Sequence, residues 1–324
     1  MKRLMPLMVA IAALLFSFAP TAFSQRILTT IPAGGQPSYP AVNTTTNMIY
    51  VPNSVLGTVA VIDGKTDEVV ADISLGGTPF AAAVNPITNR IYVTAGQQNG
   101  YVDVIDGSSN AVIATVPFVD ASRVAVNSAA NLIYVVTGKD LVSVLDGRTN
   151  GVIEGVTSDG CCMQSIAFSP ITNRIYVTII PHQLMVIDAT TYKFTMLSFP
   201  QIVDLNMVVV DSTSNRVYLS DAGGTGVYVI NGYTGELITN ILPGYEGPIA
   251  VNPTNHLLAD FDFSSVSESA SLAFVNGQSY DFVGGQVKFP VGIEPMAIVP
   301  GVSNRYYMTF QNSGAIAVVA GPQP

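Results

Sequence analysis

The undecapeptide AVNPITNRIYV, Ala83 to Val93, recurs along the chain at a fixed spacing. Close copies stand at Ala41 to Val51, Ala125 to Val135, Ala167 to Val177 and Val209 to Leu219. The second Asn of each copy (Asn47, Asn89, Asn131, Asn173, Asn215) steps by 42 residues every time. Two degenerate copies follow, around Asn255 (AVNPTNHLL) and Asn304 (SNRYYM), which makes seven units. A repeat of this length is one supersecondary unit that buries its faces against its neighbours, and a period near 42 is that of a four-stranded propeller blade. The expected fold is therefore all-β, a seven-bladed β-propeller of four-stranded blades.

Each unit reads as four strands. Phe80 to Val84 is the innermost, Asn85 to Asn89 turns the chain into Arg90 to Thr94, Tyr101 to Ile105 is the third strand, and Ala111 to Val116 the outermost. Asn and Pro suit that turn, because Asn bonds nearby backbone and tolerates left-handed conformations while Pro presets φ. The third strand repeats as VAVIDG to Gly64, VDVIDG to Gly107, VSVLDG to Gly147, LMVIDA to Ala189, VYVING to Gly232 and LAFVNG to Gly277. Asp or Asn followed by Gly signals a hairpin. Hydrophobic residues make up 48% of the chain and occur on both faces of these strands, as expected for blades packed between two neighbours.

The chain ends predict how the ring closes. Arg26 to Pro37 (RILTTIPAGGQP) aligns with Glu68 to Pro79 (EVVADISLGGTP), again at an offset of 42, and so reads as a fourth strand followed by a turn. Ala315 to Gly321 reads as a third strand with no fourth after it. The N-terminal strand, Ile27 to Ile31, is expected to complete the last blade and remove the open seam.

Residues 1–24 are expected to be a secretory signal peptide: Lys2 and Arg3 precede an apolar run from Leu4 to Ala19, and Ala22-Phe23-Ser24 supplies small residues for cleavage after Ser24. Residues 25–324 then form one propeller domain, periplasmic or extracellular, with no further stretch long enough to span a membrane. Without Lys2 and Arg3, 11 basic residues face 22 acidic ones and the formal charge moves from −9 to −11. Such a surface repels phosphate backbones, so nucleic acid is not an expected partner, whereas cations or basic partners suit it. The protein is expected to be a monomer.

The Asn-x-Ile-Tyr-Val strand with its V-I-D-G turn resembles the YVTN family of β-propeller repeats found in exported prokaryotic proteins. The resemblance covers essentially all of residues 25–324. The first five copies match closely, whereas the sixth has Leu258 in place of the Tyr and the seventh reads Tyr306-Tyr307. It implies a seven-bladed propeller outside the cytoplasm and says little about activity, because the motif is structural. Related propellers include lactonase-like and lyase enzymes and quinoprotein-type subunits, and a shared fold does not transfer their chemistry.

Function is expected where the repeats differ. The regular tyrosines, Tyr50, Tyr92, Tyr134, Tyr176 and Tyr218, read as blade-to-blade packing. The position just before each inner strand varies instead: Gln36, Thr78, Asp120, Cys162, Asp204 and Glu246 at steps of 42, with Glu294 at the matching place in the last unit. These residues are expected to ring one mouth of the central channel, beside Arg123 and Cys161 and, from a loop on the same face, His182 and Asp221. Clustered carboxylates favour a divalent cation or a basic ligand, though solvated loop residues need neither. The adjacent Cys161 and Cys162 admit a strained vicinal disulfide in an oxidising compartment. Asp260 and Asp262 share one strand face but fall short of a calcium loop, and His256 reads as an exposed turn residue at the position of Arg90. With two histidines in all, no zinc motif exists, and no nucleophile elbow, phosphate loop or dinucleotide fingerprint occurs. No cofactor beyond an optional divalent cation and no catalytic residue is expected. The favoured reading is an exported, non-catalytic module that binds a ligand or protein partner at the channel mouth. The alternatives are a lactonase- or lyase-type enzyme with a divalent metal on that face, and a cell-envelope scaffold.

Overall fold

The computed structural model describes residues 25–96, 100–158, 160, 162–264, 269–290, 293 and 295–323. The signal-peptide reading falls on residues 1–24, and Cys161 and Glu294 also lie outside the described residues. The described chain forms seven four-stranded antiparallel sheets, and in six of them each strand follows the last as a meander. Blade 2 is typical, with strands Pro79–Asn85, Arg90–Ala95, Tyr101–Asp106 and Ala111–Pro117. The inner strands of blades 1 to 7 (Ala41–Asn43, Pro79–Asn85, Ala121–Asn127, Met163–Ser169, Leu205–Asp211, Ile249–Asn252 and Pro295–Pro300) each contact the next, and the last contacts the first. Arg26–Pro32 pairs with Ala315–Ala320 as the fourth strand of blade 7, so the chain's own ends close the ring. Ile31 packs there with Ile49 and Val51 of blade 1 and Ile316 and Val318 of blade 7.

The repeat motif builds the turn opposite the channel mouth. Its first Asn ends the inner strand, and its Oδ1 accepts backbone N–H bonds from the turn: Asn43 from Thr45 at 3.0 Å, Asn85 from Ile87 at 3.1 Å. The second Asn takes a left-handed conformation, with φ of 58°, 53°, 54°, 52° and 53° at Asn47, Asn89, Asn131, Asn173 and Asn215. Its carbonyl then accepts the N–H of the V-I-D-G glycine: Gly64 to Asn47, Gly107 to Asn89 and Gly147 to Asn131, each at 2.9 Å. That approach explains the glycine, because a Cβ on Gly107 would lie 2.5 Å from Asn89 Oδ1.

The same motif joins one blade to the next. Asn43 Nδ2 donates to Asn89 Oδ1 and Asn85 Nδ2 to Asn131 Oδ1, both at 2.7 Å. Each repeat tyrosine is buried and packs on the following blade: Tyr50 on Ile91 and Val93, Tyr134 on Ile166 and Ile175, Tyr218 on Leu258 and Val275. Tyr176 and Tyr218 also donate to the carbonyls of Gly232 and Gly277 in the next blade's turn, at 2.7 and 3.2 Å. Burial raises the phenol pKa along this row, to about 12 at Tyr134.

One expectation is corrected. His256 is not the equivalent of Arg90 but of Asn89: it directly precedes its strand, Leu257–Ser264, takes φ 58°, and its carbonyl accepts the Gly277 N–H at 2.8 Å. Its ring Nδ1 lies 2.7 Å from Asp211 Oδ2, in the place of the Asn–Asn bond between other blades. The step from blade 5 to blade 6 is thus 41 residues, from Asn215 to His256.

Candidate functional site at the channel mouth

Inner strands in five of the blades carry a register shift near their start, where one extra residue stands against the second strand. The shift lies between Pro79 and Ala81, Ala121 and Arg123, Met163 and Ser165, Leu205 and Val208, and Pro295 and Ala297. Bulges of this kind bend a strand and re-aim its side chains. Across the seven blades the equivalent residues are Ser38-Tyr39, Phe80-Ala81, Ser122-Arg123, Gln164-Ser165, Asn206-Met207, Gly247-Pro248 and Met296-Ala297. Arg123 alone among them is charged.

Six of these residues come together around one space. A cavity of about 250 Å³ is lined by Tyr39, Asn206, Met207, Gly247, Pro248 and Met296, with Glu246 and Pro295 at its rim, and so gathers residues from four blades. A second, of about 220 Å³, lies between blades 2 and 3 and is lined by Thr78, Phe80, Gly96, Asp120, Ala121 and Ser122. Tyr39 lines the first cavity and Phe80 the second, and Arg123 stacks on both rings. Its guanidinium carbon is 3.8 Å from the Tyr39 ring centre and 4.6 Å from that of Phe80, and the two rings are 5.2 Å apart. Stacking of this kind holds a desolvated cation by about 2 kcal/mol. Burial pulls the guanidinium pKa below its ordinary value, and the neighbouring Tyr39 acts in the opposite direction. An arginine remains charged at neutral pH all the same. The ion pairs among the described residues join Arg148 to Asp146, His256 to Asp211 and Arg305 to Asp67, so Arg123 has no carboxylate partner there.

The other candidate residues are less convergent. Thr78, Asp120, Cys162 and Asp204 each directly precede an inner strand, on the channel-mouth side. Glu246 lies three residues before the inner strand of blade 6, Ile249–Asn252, and lines the larger of the two cavities. Asp120 lines the other cavity and Asp204 is exposed. Among the described residues no three of His, Cys, Asp or Glu stand close enough to hold one metal ion. Asp221 is fully buried, and its carboxylate accepts the N–H groups of Val203 (3.0 Å), Asp204 (2.8 Å) and Gly223 (2.8 Å) and the Thr225 hydroxyl. Burial raises its pKa, these bonds outweigh burial, and the net shift is downward. Asn53 does the same in blade 1, accepting from Gln36 and Leu56, so this position clamps the loop. His182 is half-buried in the turn after Ile179, and its carbonyl accepts the Phe199 N–H at 2.9 Å. Cys162 is disulfide-bonded and so carries no free thiolate.

The stacked trio escapes a comparison by repeat. Tyr39 and Phe80 are one residue short of the period and Phe80 and Arg123 one residue over it, so stepping by 42 never aligns them. The available signal was a lone arginine in an inner strand that is otherwise apolar or small.

No protein-family model and no curated protein matches the sequence. Among solved structures the chain is similar to the β-propeller domain of Cps50 (Swd1) from Myceliophteria thermophila. The TM-score is 0.75 at 11% identity, over 92% of this chain and 99% of that one. The likeness is one of fold.

Proposed function

We propose that this chain is an exported propeller of the YVTN repeat type, a non-catalytic binding or interaction module with its ligand or protein partner seated at the channel mouth. The observation that carries the reading is Arg123, stacked on Tyr39 and Phe80 with no carboxylate partner among the described residues. A cation stacked on two rings that each line a cavity is a preorganised recognition element, of the kind that few polar groups in an apolar pocket provide. Export rests on the charged, apolar and small-residue segments of residues 1–24, and a disulfide-bonded Cys162 suits an oxidising compartment. Cell fractionation with N-terminal sequencing tests this part: mature protein outside the cytoplasm that starts at Gln25 supports it, and cytoplasmic protein that starts at Met1 overturns it. The binding role is tested by a thermal-shift ligand screen on wild type, Arg123→Ala and Tyr39→Ala. Ligands that stabilise wild type alone support the channel mouth; ligands that stabilise all three equally move the site elsewhere.

The scaffold reading has one observation in its favour. Outer strands expose adjacent apolar residues: Ile27-Leu28, Val69-Val70, Val112-Ile113, Val152-Ile153 and Leu237-Ile238. Present on five of the seven blades, these pairs suit contact with an apolar surface. Sedimentation of wild type against a variant with Val70, Ile113 and Ile153 changed to Thr tests it, and a scaffold is expected to lose self-association or partner binding.

A further inference from the structure

We propose that Arg123 anchors a carboxylate subsite in the channel, and that its ligand is a small zwitterion of the amino-acid or short-peptide class. The ligand's carboxylate meets the guanidinium edge and its ammonium group faces the acidic rim. The inference rests on the channel-mouth reading above and names the ligand chemistry for that same site.

Three observations lead to it. A guanidinium stacked on aromatic rings has its faces covered, and its N–H donors lie in the plane of the group, pointing away from those rings. With Tyr39 and Phe80 at 3.8 and 4.6 Å, the edge donors of Arg123 are left over, and among the described residues no hydrogen bond or ion pair takes them up. That fork matches a carboxylate in bidentate geometry. Secondly, the cation sits in a partly desolvated site, where a charge is costly unless paired, and stacking offsets only part of that cost. An arriving anion gains what the protein has left unmade. Thirdly, Asp120 and Glu246 line the two flanking cavities and Asp204 stands exposed on the same face. Two or more negative charges on a ligand would be repelled by this rim, which disfavours phosphate esters and dicarboxylates, whereas a positive group on the far side of a monocarboxylate is attracted. The cavity of about 250 Å³ walled by Tyr39, Met207, Pro248 and Met296 has room for part or all of a small ligand with an apolar stem.

Calorimetric titration at low ionic strength tests the proposal with three probes: glycyl-lysine, glycyl-lysine amide and inorganic phosphate. Wild type is expected to bind glycyl-lysine about ten-fold or more tightly than the amide, and phosphate more weakly than either. Arg123→Gln is expected to lose about ten-fold or more in glycyl-lysine affinity and to bind acid and amide alike. Arg123→Lys keeps the charge but not the fork, and is expected to fall between; it serves as the readout if Arg123→Gln melts abnormally. Equal binding of acid and amide by wild type, phosphate as the tightest ligand, unchanged affinity in both Arg123 variants, or no binding of any probe overturns the carboxylate subsite. The channel-mouth reading fails separately, when ligands found by the thermal screen are indifferent to Tyr39→Ala and to Glu246→Gln.

Discussion

Asn43 of blade 1 and Asp211 of blade 5 occupy the same place, the last residue of an inner strand, and each reaches the left-handed residue of the next blade at 2.7 Å. In the first joint two neutral amides meet, Asn43 and Asn89. In the second a buried carboxylate meets the ring of His256. The backbone is the same, including the turn bond, from Thr45 N at 3.0 Å in one and Thr213 N at 2.9 Å in the other. The difference shows that turn geometry, not side-chain identity, defines the joint, and that a charge is admitted where the turn already supplies donors. Asp211 accepts from Thr213 N, Thr213 Oγ1, Ser214 Oγ and His256. Burial raises its pKa, and the bonds from Ser214, His256 and Thr213 bring the net shift downward. Blade 6 also holds a charge with no such support. Asp260, fully buried on the second strand, has no hydrogen-bond partner at either carboxylate oxygen among the described residues. Burial first and the neighbouring Asp262 second push its pKa well above the usual carboxylate value.

The seam between blades 7 and 1 is where the joints are most readily broken. Deleting residues 25–33 removes a whole strand and the buried Ile31, and leaves Ala315–Ala320 as an open edge. The expected outcome is the largest loss of thermal stability of any change considered; an unchanged melting curve would show that the ring closes without its N-terminal strand. Asp211→Ala comes next. It strips four donors of their acceptor in a buried turn and should cost about 3 kcal/mol in urea denaturation. The counterpart Asn43→Ala should cost about 1 kcal/mol, since it breaks only neutral bonds. Equal costs would mean that the two joints do not differ energetically.

How much of this was legible follows from the same residues. The period of 42 comes from local turn chemistry, the capping Asn, the left-handed Asn and the close-packed Gly, so seven blades and the seam strand could be read from spacing alone. The slip at blade 6 has a physical cause. His tolerates the left-handed region as Asn does, so the turn kept its shape while its marker changed, and Asn255 took the marker's place in the alignment. Asn255 instead donates to Asn304 Oδ1 at 2.9 Å. The candidate site was legible only as chemistry near the channel, because stacking among Tyr39, Phe80 and Arg123 links three blades through no periodic relation. Loop clamping by Asp221 was equally hidden, since a carboxylate that caps backbone N–H groups looks in sequence like one that faces solvent.

Asp260→Val tests the unsupported charge, with the repeat as its own control, for Val93, Val135 and Val177 hold the equivalent position. Removing a buried carboxylate that has no partner is expected to stabilise the protein by about 2 kcal/mol at neutral pH. The pH dependence has a definite sign. A folded-state pKa raised above the unfolded value means that the folded state binds more protons, so wild-type stability falls as pH rises from about 4 toward the folded pKa. The gain from Asp260→Val should therefore widen over that range and then level off. A constant difference between the two melting curves would mean that the folded pKa of Asp260 is not raised above its unfolded value.

The double change Asp211→Asn with His256→Asn rebuilds, in the blade 5/6 joint, the amide pair of Asn43 with Asn89. If turn geometry defines the joint, the amide introduced at position 211 keeps the Thr213 backbone bond and donates to the side-chain oxygen introduced at position 256, as Asn43 does to Asn89, at a net cost below about 1 kcal/mol. Either single change should cost more than the pair, because each leaves one half of a matched donor and acceptor set, and the coupling belongs to the contact. The acid limb of the stability curve supplies an independent reading. Asp211 has a lowered folded pKa, so its contribution is present above about 4 and is lost as pH falls through the folded value. The double variant should lose that part of the acid limb while its neutral-pH stability stays near wild type. An additive pair of singles would instead show that positions 211 and 256 are not coupled across the joint.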